Sequence, residues 1–396
     1  MEKSFLYKLL VLAGIIVVLL VLAEIGVRVV FAWKMQKAAN LNLPAGQMPP
    51  QYATPGLSYS SQDNFSKMIF DPVVCYRPKP GHKGKGYAIN GQGFRYRKEL
   101  IEPKPPRTIR IFILGGSFAF GAGVPDGYTY FEVMEADLQK RFPENKIEVV
   151  CAAVGAYSSL QEYLLLATRL VRFQPDLVMA LTLANDAYFT TKGQDVLKGN
   201  DYLGYDAAIR ACIDKRILGR YYYGQIFRDP DASFPPLWSD YWVKLHWAWD
   251  TALFRWRGEI PDKVKHQPSL PAEAAERFVY VQKLLRACAA LENIETLIFL
   301  QPTISTTGKA LHPVEKKLQE NFRFQERVFR DIYGQVQDLS RRESLGFIDI
   351  NADMAGLGED FCFFVDWVHA GEIGQKWLGG YLAEKAAPVI ERRKMK

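Results

Sequence analysis

Residues 111–121 read Ile-Phe-Ile-Leu-Gly-Gly-Ser-Phe-Ala-Phe-Gly. This apolar run stops on two glycines and a serine, and it constrains the fold more than any other stretch. An uninterrupted apolar run suits a strand buried on both faces, the kind found in parallel sheets. Gly115 and Gly116 permit a tight turn and the close approach of a second backbone. Ser117 then stands where the chain leaves the strand for a helix. Alone, the turn fits a nucleophile, a phosphate loop or a plain bend. A phosphate loop fails because Ala122-Gly123 follows and no lysine is supplied. The α/β-hydrolase elbow fails because Ala119 stands where its last glycine should be.

The same pattern recurs downstream. Apolar strand-like runs are expected at 147–152, 177–183, 295–301 and 346–350. Helical spacing is expected at 130–141, 160–173, 272–291, 314–342 and 374–389. Strands alternating with helices predict an α/β domain whose mainly parallel sheet is covered on both faces. In such sheets ligands bind at the carboxyl ends of the strands. A long interruption, about 186–270, separates the third run from the fourth. It carries Trp238, Trp242, Trp247, Trp249, Trp256 and the run Tyr221-Tyr222-Tyr223. It reads as a cap whose rings face sugar, acyl chain or lipid headgroup, or as an insertion using aromatics for its own small core.

Ahead of this domain lie an anchor (1–37) and a linker (38–64). Leu9 to Ala23 is unbroken apolar sequence, and Phe5 to Val27 gives about 23 residues, or roughly 34 Å of helix, enough to span a bilayer core. A cleaved signal peptide ending at Val21-Leu22-Ala23 is the competing reading; the apolar character that resumes after Glu24 favours a retained anchor. Pro44, Pro49, Pro50 and Pro55 break any helix in the linker. The globular part is expected over 65–396.

The net charge of +7 is a mild excess spread along the chain, not a nucleic-acid footprint. Cys75, Cys151, Cys212, Cys288 and Cys362 are scattered, with no CxxC, so neither a zinc site nor a disulfide framework is expected. No cofactor fingerprint is present.

A nucleophilic serine needs a base and a group that orients the base. The chain has five histidines. His369 stands apart, in Val365-Asp366-Trp367-Val368-His369 just before the final helix, where Asp366 can turn back onto the imidazole Nδ1. Taken alone, Asp-x-x-His also suits a metal or chance. Oxyanion donors are suggested by Gly155, after the second run, and Asn185, after the third; a turn glycine and a helix cap are the plainer readings. Ser117, Gly155 and Asn185 each follow a separate core strand.

These residues together resemble the SGNH hydrolases, the GDSL esterase/lipase family. Gly115-Gly116-Ser117 is similar to the first block, Gly155 to the second, Ala184-Asn185-Asp186 to the third and Asp366-Trp367-Val368-His369 to the last. Residues 88–95 resemble a lead-in of membrane-anchored members. Gly116 departs from the Asp of the family name, and the third block lacks the commoner Gly-x-Asn-Asp. The resemblance implies a three-layer α/β/α sandwich with a mainly parallel five-stranded, flavodoxin-like sheet. It further implies Ser117 as nucleophile, His369 as base, Asp366 as its orienter, and Gly155 and Asn185 in the oxyanion hole. The expected activity is hydrolysis of an acyl ester, acetyl among the candidates, on an envelope glycan or lipid. Transfer of the acyl group to a polysaccharide, or a non-catalytic glycan-binding or assembly role on the same fold, are the alternatives. The anchor implies a single-pass membrane protein with its domain outside the cytoplasm, in the periplasm or at the cell surface.

Overall fold

The computed structural model describes residues 68–191 and 271–394, except Pro72, Lys85 and Phe322, together with a few helical residues between 7 and 22. Most of the anchor, the linker and nearly all of the aromatic-rich insertion lie outside the described residues. Among the described residues no helix is long and apolar enough to cross a membrane.

A two-stranded antiparallel hairpin, β1 (Met68–Asp71) with β2 (Cys75–Pro78), opens the domain. Next come β3 (Thr108–Gly115), the one-turn helix α1 (Ser117–Phe120), α2 (Tyr130–Arg141) and β4 (Lys146–Cys151). α3 (Ser159–Leu165) continues through a π turn (Leu166–Leu170) and a 3-10 turn (Val171–Phe173) into β5 (Leu177–Thr182) and α4 (Ala184–Thr191). The second half runs α5 (Pro271–Leu291), β6 (Glu295–Leu300), α6 (Pro313–Asn321), α7 (Arg323–Arg342), β7 (Ile348–Asp349), the single turn α8 (Ile350–Asp353) and α9 (Glu372–Lys394).

The five-stranded sheet has the order β4-β3-β5-β6-β7, with every neighbouring pair parallel. Each expected core strand and helical stretch is present, with differences of extent: the helix expected over 314–342 is two, α6 and α7, and the last helix runs on to Lys394. The first strand begins at Thr108, ahead of the apolar run. The expected 160–173 helix tightens and widens into the π and 3-10 turns. The last strand shortens to two residues.

β3 is buried along its whole length, and its side-chain alternation feeds two cores. Ile109, Ile111 and Ile113 pack with α2 and α9 residues such as Met134, Leu138, Leu378 and Leu382. Phe112 and Leu114 pack on the opposite face with Leu165, Leu170 and Leu285. Helices therefore cover both faces of the sheet. A third cluster, joining Leu183 and Ala187 to Phe278, Phe329 and Ile332, ties α4, α5 and α7 together near the carboxyl ends of the strands.

Local signals fix where helices start. Thr129 and Glu132 form a reciprocal capping box at α2, and Ser158 with Gln161 does the same at α3. Arg110 would be an error in a buried strand without a partner. Glu148 supplies one from the opposed position of β4, with Arg110 Nε 2.7 Å from its carboxylate. An antiparallel bridge from Arg95 to Cys151 covers the outer edge of β4.

Candidate active site

Ser117 is the first residue after the turn that ends β3, and the turn needs glycine at residue 115. Gly115 has φ +142°, and a Cβ there would fall 2.4 Å from the Leu181 carbonyl oxygen and 2.5 Å from the Ala119 methyl. Gly116 is extended, with φ −87°. A Cβ on it would lie 2.2 Å from the Asn185 Nδ2. The Asn185 amide thus rests directly against the residue before the serine. Ser117 N–H heads a helical turn and has no intrahelical acceptor, as expected of first-turn donors.

Arg95 secures the turn from behind. Its guanidinium donates to the carbonyls of Phe120, Gly121 and Val124 and to the Asp126 carboxylate. The rings of Tyr87, Phe120 and Phe131 surround its charge.

The structure brings Ser117, His369 and Asp366 into one hydrogen-bonded chain. His369 Nε2 is 2.8 Å from Ser117 Oγ, and His369 Nδ1 is 2.6 Å from Asp366 Oδ2. The other Asp366 oxygen accepts from the backbone N–H groups of Val368 and His369 at 2.8 and 2.7 Å. That turn is what lets an aspartate three residues away reach the ring. Burial would raise the Asp366 carboxyl, but the His369 imidazole and these two N–H groups outweigh it and hold it below the usual carboxylate value. Burial would lower His369, but the Asp366 charge and hydrogen bond win and raise it. Nδ1 thus faces a carboxylate and Nε2 faces the hydroxyl, as a base for Ser117 requires.

The histidine loop is held in turn by a buried ion pair that the sequence reading missed. Glu315 accepts from the N–H groups of Phe363 and Phe364 at 2.7 and 2.8 Å, and its second oxygen pairs with Lys309. Both side chains are fully buried. The Glu three residues after His312, at the start of a helix, was the available signal, since its carboxylate also accepts the His312 N–H.

Gly155 sits on the loop after β4, and Asn185 in the first turn of α4, which Leu183 alone links to β5. Asn185 Nδ2 donates one hydrogen to the Tyr157 carbonyl at 2.8 Å, leaving its second hydrogen for another acceptor. The Gly155 carbonyl accepts from Tyr76 Oη at 2.9 Å, which fixes the orientation of that peptide. Each connection carries a backbone strain point beside the candidate donor: Ala156 has φ +62° and Leu183 has φ +92°. Leu183 occupies a conformation that glycine adopts freely, and its burial against Phe278 and Phe329 offsets the strain.

A second latch joins the first turns of α3 and α4. Asp186 accepts from Ser159 Oγ at 2.6 Å and from the Ser159 N–H. Burial pushes its carboxyl up to about 6. The neighbouring Glu162 carboxyl is raised further by burial and then by the Asp186 charge. Among the described residues no group of His, Cys, Asp and Glu could hold a metal ion, and Cys151, Cys288 and Cys362 are free thiols.

No protein-family model matches the chain, and no curated protein sequence matches it. Among the solved structures that match it are several esterases and lipases, two of them described as GDSL-type. An acetyl xylan esterase, AlAXEase, is 13% identical with a TM-score of 0.38, covering 70% of this chain and 99% of its own. A variant of Axe2, an acetyl-xylooligosaccharide esterase from Geobacillus stearothermophilus, is 12% identical with a TM-score of 0.38, covering 73% and 96%. A GDSL-like lipase from Parabacteroides merdae is 12% identical with a TM-score of 0.37, covering 72% and 100%. At such identities and scores the likeness assigns no residue a role; the site rests on its own distances.

Proposed function

We propose that this chain is a serine esterase of the SGNH type, acting on an acyl ester through Ser117, His369 and Asp366. The observation that carries the reading is the unbroken hydrogen-bonded chain from hydroxyl to imidazole to carboxylate, on a turn whose Gly115 has no room for a side chain.

In this mechanism His369 Nε2 takes the Ser117 proton as Oγ attacks the ester carbonyl carbon. Asp366 keeps the imidazole in the tautomer that can accept and stabilises the imidazolium that forms. Charge gathers on the former carbonyl oxygen. The N–H groups of Ser117 and Gly155 and the free hydrogen of the Asn185 amide supply the donors for it. The tetrahedral intermediate collapses, the C–O bond to the alcohol breaks, and the imidazolium returns its proton to that alcohol. Water, deprotonated by His369, then attacks the acyl-enzyme and releases the acid and the free serine. An incoming sugar hydroxyl in place of water would make the same machinery a transferase.

The substrate class follows from the resemblance and the anchor: an acyl group on an envelope glycan or lipid. The apolar run from Phe5 to Val27 supports a membrane anchor, with the catalytic domain outside the cytoplasm. Hydrolysis of p-nitrophenyl acetate by the purified protein, lost in Ser117→Ala and His369→Ala, tests the enzyme reading. Absence of any serine-dependent turnover on short acyl esters would refute it. Product analysis with a sugar acceptor then separates hydrolysis from transfer.

A further inference from the structure

On the β4 side of the sheet lies a cavity of about 310 Å³, within the range of small-ligand sites. Neither Ser117, His369 nor Asp366 lines it. Three guanidinium groups do, those of Arg77, Arg169 and Arg172, and among the described residues no carboxylate does. Phe94, Leu165 and Phe173 supply apolar wall.

The arginines come from separate elements. Arg77 lies on β2, Arg169 on the π turn after α3, and Arg172 on the 3-10 turn that follows. π turns inside helices recur at functional sites. Two carboxylates sit outside the wall and hold the groups in place. Asp71, almost fully buried, pairs with both Arg77 and Arg169, and Glu102 pairs with Arg172. Two carboxylates against three guanidiniums leave one positive charge over.

Donors are left over as well. Among the described residues the buried Nε of Arg169 has no hydrogen-bond acceptor, and that of Arg77 only faces Asp71 Oδ2 at 3.3 Å, outside hydrogen-bonding geometry. Asp71 cannot serve them further, because its other oxygen already accepts from Val73 and Val74. Arg172 uses Nε and Nη2 on Glu102, which leaves Nη1. Several guanidinium donors around a space of this size match an oxygen-rich tetrahedral anion, which takes forked bonds from arginine.

We propose that this cavity binds a phosphoryl group, as inorganic phosphate or as a phosphate monoester whose body lies on the aromatic wall. The site is separate from the catalytic serine and stands whether or not the esterase reading holds.

The test is calorimetric titration of the full-length protein in detergent with inorganic phosphate, at constant ionic strength set by chloride. Wild type is expected to bind one phosphate, and Ser117→Ala to bind it with an unchanged constant. Arg169→Gln and Arg172→Gln are expected to weaken binding at least about ten-fold. Arg172 is largely exposed, at 65% of its side chain, so its variant keeps the fold even if loss of the Asp71 pair disturbs Arg169→Gln. No phosphate binding by wild type, or equal binding by wild type and both variants, would overturn the proposal. Glycerol 3-phosphate and vesicles of phosphatidic acid in phosphatidylcholine, added as competitors, distinguish a soluble ester from a lipid headgroup.

Discussion

Gly116→Ala should remove the Asn185 oxyanion donor without touching any reacting group. The new Cβ would fall 2.2 Å from Asn185 Nδ2 and 3.3 Å from its Cγ. Ordinary contact needs about 3.5 Å, so the amide must retreat by more than about 1 Å. It is the far end of a side chain and can do so while the fold persists. The backbone has no reason to move, since φ −87° at residue 116 is open to alanine. The retreat breaks the 2.8 Å bond to the Tyr157 carbonyl that aims the amide. Loss of one such donor costs about 10²–10³ in kcat, or about 3–4 kcal/mol of transition-state stabilisation. The assay is steady-state hydrolysis of p-nitrophenyl acetate by wild type, Gly116→Ala, Asn185→Ala and the double variant. The expected result is a fall in kcat for each single variant and no further fall in the double, because both remove one donor. Gly116→Ala within about two-fold of wild type, or losses that multiply in the double variant, would refute the reasoning.

Asp366→Asn should lower kcat about 10⁴-fold by releasing the wrong tautomer. Proton NMR should show His369 dropping from above its ordinary 6.5 to below it, since only burial then acts on the ring. In wild type, kcat/KM should rise with pH through a midpoint above 6.5, because only neutral His369 can act as base. The pair also contributes to folding: the His369 share is full below about 6.5 and fades as pH rises through its raised folded value. The Asp366 share is full above about 3.8 and fades as pH falls through its lowered folded value. Asp186 acts in the opposite sense to Asp366, because its folded value of about 6 exceeds its unfolded 3.8. Its ionisation therefore destabilises the fold as pH rises from about 4 to about 6, by at most about 3 kcal/mol, less whatever solvent screens on its exposed edge. Urea melts of Asp186→Asn across that range should lose this slope, and an unchanged slope would contradict the assignment. Gly379→Ala places a Cβ 2.6 Å from the Tyr130 carbonyl oxygen. As backbone cannot swing aside, α2 and α9 must part, at a cost of about 1–3 kcal/mol in a denaturant melt.

The sheet was legible in the sequence because parallel strands buried on both faces need continuous apolar runs, and β3 to β6 carry them. The start of β3 was legible only as far back as Arg110: Thr108 gives no strand signal, and the partner that lets Arg110 be buried, Glu148, faces it across the ladder. That pairing spans 38 residues and leaves no local trace. The same distinction holds at the candidate site. Asp366 and His369 stand close in sequence, so a turn joining them could be expected. Ser117 meets His369 across 252 residues, a meeting only the sheet order brings about. Arg95 acts on backbone carbonyls, which no side-chain pattern announces, whereas Glu315 left a signal in its spacing from His312. The left-handed backbone at Leu183 was equally hidden, since leucine gives no warning of a position that suits glycine. Gly116 reads differently with the structure in view: its missing Cβ is the room that the Asn185 amide occupies.

The central claim is that Ser117 is an acyl-accepting nucleophile activated by His369. Intact-mass measurement after exposure to a fluorophosphonate tests it most directly. The account predicts a single adduct, mapped by peptide sequencing to Ser117 and absent from Ser117→Ala and from His369→Ala. An unmodified wild-type protein, or an adduct that persists in Ser117→Ala, would contradict it.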